Sequence, residues 1–194
     1  MIKRLSVFSV VALAVLTSHQ RAHAQDDADL PNPIVAANLG STARYLFELS
    51  HPSRSEVGCF EVTLQDRSAD RFTVAEILTR DGMRGPTAEV SYPIASTMKA
   101  QILAVYRAQF QDLVIKRTTV FDGITHVVRG VTYACHRMYV EMEGTIQEAP
   151  CSVDLCYDVH PDAGPLGIVL FRSIVSCRTP TTKTQCFTMR LDSK

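Results

Sequence analysis

Several short stretches of this chain place apolar side chains at every second residue: Phe60, Val62 and Leu64; Ala88, Val90 and Tyr92; Val131, Tyr133 and Cys135; Phe187, Met189 and Leu191. A period of two is the signature of a strand with one face buried. The chain is therefore committed to a sheet with one apolar side before any other feature is weighed. Residues 71–78 fit the same period through Phe72 and Val74, but the phase breaks at Ala75 and Glu76, as at a bulge. Residues 166–175 are almost continuously apolar and read as a strand covered on both faces. In the long stretch 131–142 the apolar set changes parity between Cys135 and Met138, which implies a bulge or bend at 135–137.

Turn chemistry divides these strands. Asp81-Gly82, Arg84-Gly85-Pro86 and the segment 161–165 are turn signals. Asp122-Gly123, set between 118–121 and 124–128, reads as the two-residue turn of a hairpin, because Asp-Gly suits the positive φ angles of type I′. Two segments carry a helical pattern instead. One begins at Ser41 within 34–50. The other covers about 96–114, with Ser96 or Thr97 as cap and with Ile102, Leu103, Tyr106, Phe110, Leu113 and Val114 on one arc. The expected fold is α+β: a mainly antiparallel sheet with that amphipathic helix packed on one face and disulfides as cross-links.

The amino terminus has the three parts of an export signal. Lys3 and Arg4 precede an apolar run over 5–16, and Ala22-His23-Ala24 offers small residues for cleavage before Gln25. The run is shorter than the ~20 residues a membrane span needs. Cutting there leaves 170 of the 194 residues, enough for one domain. The division expected is a signal peptide over 1–24, a mobile acidic leader over 25–33 and one domain over 34–194. The product is expected in the periplasm or secreted, with no membrane insertion after cleavage. Three of the 20 Lys and Arg leave with the signal and all 20 Asp and Glu stay, so the mature chain is net negative. That balance, with no basic stripe, argues against nucleic acid as a partner.

All six cysteines follow the cleavage point: Cys59, Cys135, Cys151, Cys156, Cys177 and Cys186. An even number in an exported chain implies disulfides. Nearness in sequence pairs Cys151 with Cys156 around a four-residue loop, and Cys177 with Cys186 around a turn, leaving Cys59 with Cys135. Cys59 with Cys186 is the rival, because both precede the same alternating pattern and would meet if their strands were neighbours.

Candidate chemistry is sparse. Cys135-His136 could pair a thiol with an imidazole, although neighbours in a strand face opposite ways. Cys151, Cys156 and His160, with His136, have ligand types that zinc accepts, but an oxidising compartment favours disulfides over thiolates. Glu141 and Glu143 would share a strand face, where solvated carboxylates are ordinary. Asp154 and Asp158 read as loop residues, and His51 and His126 as surface histidines. No hydrolase elbow, zinc-protease helix or phosphate loop is present, and no cofactor or metal is expected. The leading expectation is a non-enzymatic binding module that engages a protein or envelope component through loops at 144–165 and 178–185, inhibition of a foreign enzyme being one form of this. One alternative is a small hydrolase with a site scattered over Cys135, His136 and Glu141. The other is a carrier that holds an apolar ligand between helix and sheet, in a cavity under Tyr106 and Phe110.

Overall fold

A computed structural model describes residues 25–52, 54–178 and 183–194. The expected signal peptide at 1–24 and residues 179–182 of the expected contact loop at 178–185 lie outside the described residues. Ten strands form one antiparallel sheet: β1 (Gln25–Asp26), β2 (Thr42–His51), β3 (Arg54–Arg67), β4 (Arg71–Arg80), β5 (Met83–Pro93), β6 (Gln111–Val128), β7 (Val131–Ile146), β8 (Ala149–Val159), β9 (Ile168–Cys177) and β10 (Lys183–Ser193). Their spatial order is β1-β6-β7-β8-β9-β10-β2-β3-β4-β5. Two meanders, β2 to β5 and β6 to β10, are thus joined where the last strand pairs with β2. A single short helix among the described residues, α1 (Met98–Tyr106), connects them.

Alternation drives this sheet as expected, and turn residues set its register. Arg80 faces Met83 across Asp81-Gly82, both with positive φ, which is a type I′ hairpin. The same geometry recurs at Arg129-Gly130 and, without glycine, at Gln147-Glu148.

Several expectations are corrected. The segment from Ser41 is strand β2, with Ala43, Tyr45 and Phe47 buried in alternation. Helix α1 stops at Tyr106 rather than near 114. The β-branched Val114, Ile115, Thr118, Thr119 and Val120 favour a strand, and β6 buries Leu113 while exposing Val114. Thr97 is the cap, its hydroxyl accepting from the Ala100 amide at 3.4 Å. Asp122-Gly123 is no hairpin turn. It lies inside β6, where the register against β7 slips by one residue between Phe121 and Ile124, and the chain reverses at Arg129-Gly130. Arg84-Gly85-Pro86 is part of β5, and residues 151–156 are strand rather than loop.

The parity change in β7 is present, with Tyr133 and Cys135 in one hydrophobic cluster and Met138, Val140 and Met142 in another. The extra residue sits opposite, on β6. Within the segment read as a leader, β1 pairs with β6, and Asn32 and Pro33 are buried. The Met98 amide donates to Leu30 O at 2.8 Å and the Asn32 amide to Ser96 O at 3.0 Å, tying this segment to the start of α1.

Candidate binding trough

The inward faces of both meanders meet around one open-mouthed cavity of about 660 Å³. Its floor is an aromatic row crossing four consecutive strands. Tyr157 on β8 lies 4.6 Å from Phe171 on β9 between ring centroids, Phe171 lies 5.9 Å from Phe187 on β10, and Phe187 lies 5.9 Å from Phe47 on β2. Such side chains arise from the strand period, and cross-strand aromatic contacts stabilise the sheet that presents them. Val62 on β3, Val74 and Leu78 on β4, and Tyr92 on β5 extend the wall. Helix α1 contributes Met98, Ile102, Val105 and Tyr106, and Phe110 follows, its ring 6.0 Å from that of Tyr106.

Few polar groups break this lining. The Tyr106 hydroxyl is hydrogen-bonded to Ser173. Asn32 and Gln101 satisfy each other and the backbone at 93–95. Glu76 is the exception. It stands on β4 between Val74 and Leu78, opposite Val62. Among the described residues its hydrogen-bond partner is the Tyr92 hydroxyl, which donates to Oε1 at 2.8 Å. Burial pushes this carboxyl above its ordinary range, against the opposing pull of that hydrogen bond. In the sequence, residues 75–76 look like a break in the pattern. The phase in fact continues through Phe72, Val74, Glu76, Leu78 and Arg80, all lining the trough, and the pairing of β4 with β5 shifts only between Ile77 and Thr79.

Glu76 is half-buried, and a fully buried acid has a different setting. Asp158 on β8 is fully buried and receives Arg137 Nε and Nη2, each at 2.6 Å. His126 Nε2 lies 2.5 Å from its Oδ2. Burial alone would raise this carboxyl, but the Arg137 and His126 hydrogen bonds and charges outweigh it and hold the group below its usual range. Asp158 is thus no loop residue and His126 has a partner, contrary to expectation.

The cysteines do not pair as sequence proximity suggests. Cys151 and Cys177 face each other across β8 and β9 and form a disulfide. Cys59, Cys135, Cys156 and Cys186 are free. Cys151 and Cys156 are five residues apart along one extended strand, which no disulfide spans. Strand β2 separates β3 from β10, so Cys59 and Cys186 are not on neighbouring strands. The other sequence-based candidates are dispersed. Cys135 is buried and its thiol is pushed up to about 12, by burial first and by the charge of Asp158 second. His136 is exposed and its Nδ1 lies 2.5 Å from Asp122 Oδ1. Glu141 faces Arg117 and Asp154 in register, and Glu143 pairs with Lys116 at 2.9 Å. The trough includes none of Cys135, His136 and Glu141. Cys151, bound in the disulfide, is unavailable as a zinc ligand. The Cys156 thiol is raised to about 11, chiefly by burial. His160 Nδ1 accepts from the Asp162 amide at 3.1 Å. Among the described residues no group of three metal-ligating side chains is assembled. The expected contact loop at 144–165 is largely β7, β8 and the turn between them.

The class of protein so defined is a mostly antiparallel sheet, curled about an apolar trough, with one short helix and one disulfide. No family model matches the chain, and no curated protein matches it. Among solved structures, a Bacteroides fragilis protein described as exported and of YmcC-like fold aligns with a TM-score of 0.45 and 8% identity, over 86% of this chain and 99% of that one. Among the described residues no helix is long and apolar enough to cross a membrane.

Proposed function

We propose that this protein is an exported, non-enzymatic binding protein whose ligand lays an apolar body in the trough beneath α1. The observation that carries the reading is the cavity of about 660 Å³ under Tyr106 and Phe110. Small-molecule sites are typically concave, mostly apolar and ~300–1,000 Å³. The export part of the proposal rests on the signal at 1–24. Its check is a mature amino terminus at Gln25.

Titration with a neutral fluorescent apolar dye such as N-phenyl-1-naphthylamine tests the reading. Saturable enhancement, reversed by an unlabelled long-chain alcohol and weakened in a folded Val105→Trp variant that narrows the trough, is the expected result. Linear, unsaturable uptake by folded protein overturns it.

A further inference from the structure

Resting on the carrier reading, we infer that the ligand of the trough is a cationic amphiphile, a long-chain amine or its equivalent, whose head pairs with Glu76. The argument begins with what surrounds that carboxylate. Val74, Leu78 and Val62 flank it, and among the described residues the Tyr92 phenol is its hydrogen-bond donor. A carboxylate half-buried in an apolar wall loses part of its hydration, and a cation beside it restores that loss. Among the described residues, no cation forms an ion pair with it.

Arg80 is the nearest basic residue on the same face of β4, four residues along. It is engaged elsewhere, with its Nη1 3.3 Å from Glu56 Oε2, and half of its side chain is exposed. The chain therefore supplies an apolar channel and an uncompensated acid inside it, and leaves the compensating charge to be brought in. An ammonium on an alkyl chain meets both demands, because it adds a charge-assisted hydrogen bond to the burial of its tail. A fatty carboxylate meets only one, placing a like charge beside Glu76. A fatty alcohol gains no ionic term.

The test is displacement of the neutral dye at pH 7 by dodecylamine, dodecanol and dodecanoate, each below its micelle concentration, on the whole mature protein. The amine is expected to displace at about tenfold lower concentration than the alcohol, the ratio a single charge-assisted contact supplies. In Glu76→Gln the dye still binds and this preference falls to less than about twofold. Equal displacement by all three in the wild type, preference for dodecanoate, or a preference that survives in Glu76→Gln overturns the inference and leaves the carrier reading standing. Failure of the dye itself to bind overturns both.

Discussion

Asp158 is fully buried and Glu76 half-buried in one sheet, and the two carboxyl groups are treated in opposite ways. Asp158 meets a bidentate arginine and a histidine, and its acidity is strengthened. Glu76 meets one phenol, and its acidity is weakened. The first has every requirement of a buried charge met by its own chain, so it locks β6, β7 and β8 together. The second is left short inside a cavity that has room for another molecule. Saturation suits a structural acid, and on the proposed reading want of a counter-charge suits a binding one.

The largest break in this comparison is Arg137→Met. Removing one partner of a buried ion pair strands the other, at a cost of about 4 kcal/mol, read as a lower urea midpoint at pH 7 with the slope unchanged. The Cys151→Ala, Cys177→Ala double variant costs about 3.5 kcal/mol by chain entropy for a 26-residue separation. Because that loss involves no titrating group, it is the same at pH 7 and at about pH 3, below the unfolded carboxylate value, which separates it from the Asp158 variants. His126→Gln, which weakens one charged hydrogen bond but keeps the arginine, costs about 1.5 kcal/mol in the same assay.

Acid sharpens the contrast further. The folded carboxyl of Asp158 lies below its unfolded value, so its contribution is full above the unfolded pKa of ~3.9 and is lost as pH falls through the folded one. Asp158→Asn removes that part of the acid slope in urea melts between pH 5 and pH 2. Glu76 carries the opposite sign. Its folded carboxyl is raised, so ionisation opposes folding as pH rises above ~4.3. Glu76→Gln is accordingly neutral in acid and slightly more stable than wild type at pH 7, an effect that solvent screening of this half-exposed group keeps below about 0.5 kcal/mol. This is the smallest effect of the set, and it is visible only without ligand.

Much of the sheet was legible in the sequence, because alternation at Phe60 to Leu64 and Phe187 to Leu191 reports the buried face directly. The sulfur pairing was not, since it depends on which strands are adjacent. One signal was available: Cys151 and Cys177 lie equally far on either side of Gly164, in the turn that folds β8 onto β9. Helical periodicity at 107–114 misled because Leu113 and its neighbours satisfy two periods over so short a span. The trough's apolar lining followed from the pattern, and a cavity under Tyr106 and Phe110 was one of its alternatives. Glu76 escaped notice because an acid on an inward position resembles a lapse in the pattern. Asp158 looked like a loop residue because the turn-forming Pro161 to Pro165 segment so closely follows it.

The sequence contains no tryptophan, so Phe171→Trp places a single reporter on the trough floor without background. Titrating it with an alkyl chain brominated near its tail tests the central claim most directly, because bromine quenches only on close approach. Saturable quenching, reversed by excess unbrominated chain, is the predicted result. Tryptophan emission that stays constant while the variant remains folded would contradict the assignment of this cavity as a ligand site.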